Sequence, residues 1–138
     1  MFQKLLLPVD LSDRHGQALQ AAAELARPGA EVVLLHVIEI IPGLPMEEDK
    51  TFYQRLEKAA QRHLGQLGKQ LEQRGVSWRA ETIYGQRGPD ILRFARETSA
   101  ELIVLTSPRP DPEHPAAGWG SLSHKVGLLS SCPVLLVK

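Results

Sequence analysis

A single cysteine, Cys132, stands in the 138 residues, so the chain cannot close an internal disulfide and fits a reducing compartment. Charge of either sign is not in excess. Sixteen Lys and Arg oppose sixteen Asp and Glu, which removes the electrostatic case for nucleic acid or an anionic membrane as partner. The same balance weakens self-repulsion and mildly favours association. Apolar runs are only strand-sized, and neither a signal peptide nor a membrane span is legible, so the cytoplasm is the expected location. Chemical motifs are equally sparse. The chain has no Gly-x-x-x-x-Gly-Lys-Ser/Thr loop, no Gly-x-Gly-x-x-Gly after its first apolar run and no Gly-x-Ser-x-Gly elbow. Those absences argue against a P-loop NTPase, the usual dinucleotide enzyme and a serine hydrolase of the elbow type. Its five histidines, His15, His36, His63, His114 and His124, show no metal-binding spacing. No base and nucleophile stand at a recognisable spacing, so an enzyme with a dedicated substrate has little support.

What is present is an alternation of apolar runs and amphipathic stretches, in a chain whose length and 43% hydrophobic content fit one globular domain over 1–138. Lys4 to Asp10 is a continuous apolar run, as a parallel strand covered on both faces requires. Pro8 cannot donate to a ladder, so pairing is expected to fade there. Ser12 or Asp13 then caps a helix whose inner face is Ala18, Leu19, Ala21, Ala22, Leu25 and Ala26, stopped by Arg27-Pro-Gly-Ala30. A second strand covers Glu31–Ile38, and a loop rich in proline and glycine runs from Glu39 to Asp49. A long helix, about Lys50 to Arg74, repeats Phe52, Leu56, Ala59, Ala60, Leu64, Leu67 and Leu71 along one side, with Gly75 at its C-terminal cap. Val76 to Ile83 alternates apolar and charged residues, which marks an edge strand with one solvated face. Gly85 to Pro89 reads as a turn, Asp90 to Thr98 as a helix with Ile91, Leu92, Phe94 and Ala95 inward, and Leu102 to Leu105 as the fourth strand. Five strands alternating with four helices make an α/β fold with a parallel sheet and helices on both faces.

The last third carries the most specific signal. An apolar strand is followed by a proline-rich loop, then Gly120-Ser121 opening a helix, then Cys132-Pro133-Val134-Leu135-Leu136-Val137. A helix that opens on Gly-Ser behind a strand offers unpaired amides to an anion. This arrangement resembles the universal stress protein family, whose C-terminal signature is a strand, Gly-x-x-Gly, nine residues, Gly-Ser or Gly-Thr, a helix and a Cys-Pro-Val-Leu-like strand. The resemblance covers the whole chain, and is strongest at Leu5–Ser12 and Gly120–Val137. It implies a Rossmann-like sheet of order 3-2-1-4-5 and a crevice beyond the carboxyl ends of strands 1 and 4, where that order reverses. It also implies adenine-nucleotide contacts at Asp10 for the sugar and base, at Val37 for the adenine, and at Ser107, Gly120, Ser121 and Leu122 for the phosphates.

Counting back from Gly120, the two glycines of Gly-x-x-Gly fall on Ser107 and Pro110. Glycines in a phosphate loop let amides approach the anion, whereas Pro108, Pro110, Pro112 and Pro115 each remove a donor and fix φ. Asp111 and Glu113 add negative charge beside the expected phosphates. Two readings therefore stand. One is a dimeric stress-response or regulatory protein, acting through protein partners, whose ATP binding is weakened or lost. The other is an ATP- or AMP-binding member with slow or no hydrolysis. For Asp10 the alternative to ligand binding is a residue that orders the turn after the first strand, and for Ser121 it is plain N-capping. The final strand, Val134-Leu-Leu-Val137, carries no charge to guard an edge. A homodimer paired through it is expected, as the resemblance also implies, against the alternative of an edge covered by its own chain.

Overall fold

The computed structural model describes residues 1–107, 113 and 121–138. Nine elements follow in order: β1 (Phe2–Pro8), α1 (Gly16–Leu25), β2 (Ala26–Glu39), α2 (Lys50–Gln73), β3 (Ser77–Gly85), α3 (Arg87–Glu97), β4 (Leu102–Thr106), α4 (Leu122–Leu129) and β5 (Val134–Val137). The five strands form one parallel sheet in the order β3-β2-β1-β4-β5. The alternating strand β3 does lie at one edge, and β5 lies at the other.

Side chains alternate across a strand, so the apolar runs feed two cores at once. Leu5 and Leu7 of β1, with Val32 and Leu34 of β2, pack beneath α1 and α2 against Ala18, Leu19, Leu64 and Leu71. Leu6, Val33, Leu35, Ile103 and Leu105 point the other way, against Ile91 and Ala95 of α3 and Val126 of α4. Burying a leucine or valine of this kind contributes about 1.5–3 kcal/mol, and Leu5–Leu7 and Val32–Leu35, the covered middles of the central strands, contain no polar residue. The small residues of α1 bring its axis close to the sheet: Ala18 and Ala22 are buried outright.

Several boundaries differ from the sequence reading. The first helix does not begin at Ser12 or Asp13; it begins at Gly16, with His15 at the cap position and no side-chain cap. Asp10 is responsible. Its Oδ1 accepts from the Ser12 amide at 2.9 Å and the Ser12 hydroxyl at 2.5 Å, a local turn that competes with helical pairing. Arg27–Ala30 is not a stop between helix and strand. Phe2 pairs with Ala26 and Lys4 with Glu31, so the segment bulges out of a strand that has already begun, with Gly29 at φ 81°. Residues 87–89 belong to α3: Pro89 sits in the first turn, where its missing amide costs no helical bond. In α2 the buried aromatic is Tyr53 rather than Phe52. The Tyr53 hydroxyl donates to the Leu44 carbonyl and accepts from the Ile41 amide at 3.0 Å, fastening the 40–49 loop. Gly68 of α2 faces the Trp78 indole so closely that no Cβ fits between them. Among the described residues no helix is long and apolar enough to cross a membrane.

Candidate functional site

The site arises where two neighbouring strands part. β1 and β4 pair only through Leu5 with Leu102 and Leu6 with Ile103. On its other side β1 stays paired with β2 to its end: Pro8 lies opposite Leu35, and the Val9 amide still donates to the Leu35 carbonyl at 2.8 Å. Pairing thus fades before Pro8 on one side only. Beyond Leu6 the chain follows β2 while β4 follows β5, and a crevice opens between Asp10 and Thr106. This is the expected position, because a sheet whose order reverses parts there.

Asp10, Val37, Ser121 and Leu122 all line this crevice, together with Arg14, His15, Arg87 and Thr106. Asp10 is the most heavily bonded of them. Besides the two bonds from Ser12, its Oδ1 meets His15 Nε2 at 2.8 Å, and its Oδ2 accepts from Arg14 Nη2 at 2.9 Å. Burial pushes its pKa up, but the Ser12 hydroxyl and amide, His15 and Arg14 together pull it further down, well below the usual carboxylate range. The carboxylate is therefore ionised at any physiological pH. Oδ1 is crowded, whereas among the described residues Oδ2 accepts from the half-exposed Arg14 side chain alone, with capacity for a further hydroxyl.

His15 joins the two sides of the opening. Its ring is buried, with Nε2 on Asp10 and Nδ1 2.8 Å from Thr106 Oγ1. Nε2 also lies 3.2 Å from the Asp10 amide, and it cannot both donate to the carboxylate and accept from that amide. The carboxylate contact is shorter and the carboxylate only accepts, which assigns a proton to Nε2; in that tautomer Nδ1 accepts from the Thr106 hydroxyl. A second histidine ties β1 to β2: buried His36 donates from Nδ1 to the Val9 carbonyl at 2.9 Å. It is a buried, hydrogen-bonded structural histidine.

Val37, near the end of β2, is buried and faces the crevice as part of its apolar wall. Ser121 is the N-cap of α4, its Oγ accepting from the His124 amide at 3.4 Å. The cap role and a place in the crevice wall therefore coexist, since the first-turn amides of α4 lack intrahelical acceptors. Ser107 is set apart. Its amide donates to the Val137 carbonyl at 2.7 Å, extending the β4–β5 ladder, and its residue lines a neighbouring groove with Asp13, Arg14, Gln17 and Lys138. Gly120, and Pro108 to Pro110 of the expected phosphate loop, lie outside the described residues.

The sequence reading missed Arg14, His15, Arg87 and Thr106. Arg87 enters because α3 starts earlier than expected; it pairs with Glu39 at 3.2 Å at the mouth of the crevice. The start of α3 is set by Asp90, whose Oδ2 accepts from the Gln86 amide at 2.7 Å. His15 and Thr106 are 91 positions apart, and no local pattern links them. Among the described residues no cluster of three or more His, Cys, Asp or Glu is placed to hold a metal ion.

Comparison with known proteins bears on the family and the fold. Universal stress protein YxiE of Bacillus subtilis is 34% identical over 154 residues, covering 100% of both chains. The structure of hypothetical protein MJ0577 superimposes with a TM-score of 0.81 at 25% identity, over 100% of this chain and 96% of that one. A universal stress protein from Archaeoglobus fulgidus, solved in complex with dAMP, superimposes with a TM-score of 0.74 at 23% identity, over 99% and 98% of the two chains. The description of the universal stress protein family matches residues 1–138 from end to end, and the chain belongs to that family.

Proposed function

We propose that this protein is a regulatory adenine-nucleotide sensor that holds the nucleoside firmly and the phosphate tail weakly. The observation that carries this reading is the Asp10 carboxylate: ionised, fixed by four donors, and presenting Oδ2 to a crevice whose other walls include Val37 and Leu122. An acceptor so fixed suits a sugar hydroxyl, because the bond is charge-assisted and little entropy is lost in making it. The apolar wall suits a flat base. A monophosphate would fall near the first amides of α4, the place where a helix favours an anion. The dAMP complex of the Archaeoglobus relative supports an adenylate as occupant of such a crevice.

A triphosphate is served less well. Both cations on the described wall are already engaged, Arg14 with Asp10 and Arg87 with Glu39. Ser107 spends its amide on β5, and the prolines at 108, 110, 112 and 115 have no amide to offer. Isothermal titration of AMP and of ATP with Mg²⁺ tests the reading. AMP binding lost in Asp10→Ala, with ATP bound no tighter than AMP, is the expected outcome. ATP preferred by tenfold or more would refute the weak grip on the tail.

The output of such a sensor runs through its surface. β5 is an edge strand on which Leu136 is 39% exposed, and Leu128 and Leu129 at the end of the preceding helix α4 are 70% and 68% exposed. An uncharged edge of that kind supports a homodimer paired through Val134–Val137.

A further inference from the structure

Asp10, His15 and Thr106 form a line of carboxylate, imidazole and hydroxyl, both contacts 2.8 Å long. The line does more than join two strands. With the Nε2 proton on Asp10, the Nδ1 lone pair faces the Thr106 hydroxyl, which is the arrangement that turns an alcohol into a nucleophile. Thr106 is half-buried and lines both the crevice and the groove beside it. The first amides of α4 border the same space through Leu122 and Ser123, where they can receive the negative charge of a carbonyl oxygen under attack.

We propose that Thr106 is an acyl-accepting nucleophile, with His15 as its general base, Asp10 as the residue that positions the imidazole, and a small ester with an apolar acyl group as substrate. Thr106 Oγ1 bonds to the ester carbonyl carbon while its proton passes to His15 Nδ1. The carbonyl π pair moves onto oxygen and returns as the bond to the leaving alcohol breaks, and that alcohol takes the proton from Nδ1. Water then repeats the sequence on the acyl-threonine, releasing the carboxylic acid and restoring the hydroxyl, so that ester and water become acid and alcohol. A neutral ester suits the wall better than a polyphosphate donor. Leu35, Val37 and Leu105 supply an apolar surface, and the two arginines are already paired. The activity goes beyond nucleotide sensing and does not require it, although both ligands would share one crevice.

The test uses the full chain without nucleotide. A fluorophosphonate probe, located by peptide mass spectrometry, should label Thr106, and para-nitrophenyl butyrate should be hydrolysed. Thr106→Val and His15→Gln should each lower that hydrolysis by at least about a hundredfold, while Thr106→Ser retains both labelling and turnover. The label on the unmodified protein decides the matter even if a variant fails to fold. Probe scattered over lysines and tyrosines, or hydrolysis unchanged in Thr106→Val, would overturn the assignment.

Discussion

Gly68→Ala is a substitution for which two magnitudes compete, and the structure decides the sign. In a helix interior alanine is favoured over glycine by about 1 kcal/mol. At residue 68 the added Cβ would lie 2.3 Å from Trp78 Cε2 and 2.4 Å from Cζ2, roughly 1 Å inside ordinary carbon contact. The indole has to retreat, and overpacking of this kind costs about 1–3 kcal/mol. Retreat also stretches the 2.8 Å bond from Trp78 Nε1 to Glu72, worth a further ~0.5–1.5 kcal/mol. The balance is a destabilisation of roughly 0.5–3.5 kcal/mol, read as a lower urea midpoint with an unchanged slope. In a Trp78→Ala background the clash is gone and the same substitution should stabilise by about 1 kcal/mol. Gly68→Ala stabilising the unmodified protein, or remaining harmful without Trp78, would refute the packing argument that fixes β3 against α2.

Further outcomes follow from the site and its borders. Asp10 is more acidic folded than unfolded, so its stabilising contribution is complete above the unfolded value of about 4 and is lost as pH falls through the lower folded value. The stability difference between the unmodified protein and Asp10→Asn should therefore be constant at neutral pH and shrink below pH ~4, as followed by urea titrations across pH. Asp90→Ala removes the acceptor of the Gln86 amide and should cost about 1 kcal/mol, with faster amide exchange at the start of α3. Leu136→Lys places a charge on the exposed edge of β5 and should convert a dimer to a monomer in light scattering at unchanged far-ultraviolet dichroism.

Much of the fold is legible in the chain because burial on two faces leaves a plain trace. Leu5-Leu6-Leu7 and Val32-Val33-Leu34-Leu35 read as strands because every position is covered. Val76 to Ile83 reads as an edge because apolar and charged residues alternate along it. The crevice is legible only once the family resemblance supplies the order 3-2-1-4-5, since a sheet parts where its order reverses. Boundaries are harder, because they depend on contacts that composition does not encode. Asp10 pulls Ser12 into a turn and delays α1 to Gly16, and Asp90 reaches back to Gln86 and advances α3 to Arg87. The relay is illegible for a different reason. Asp10 and His15 are five positions apart, but the partner that gives His15 its meaning comes from a strand 91 positions away. Only the parallel crossover that sets β4 beside β1 brings Thr106 into reach.

On the proposed reading, the crevice between β1 and β4 grips a nucleoside through Asp10 and adds little affinity for each further phosphate. Parallel calorimetric titrations of AMP, ADP and ATP with Mg²⁺ address it most directly. Affinities that stay within tenfold of one another, and vanish together in Asp10→Ala, are the predicted result. A steep rise in affinity from AMP to ATP, or binding indifferent to Asp10, would contradict it.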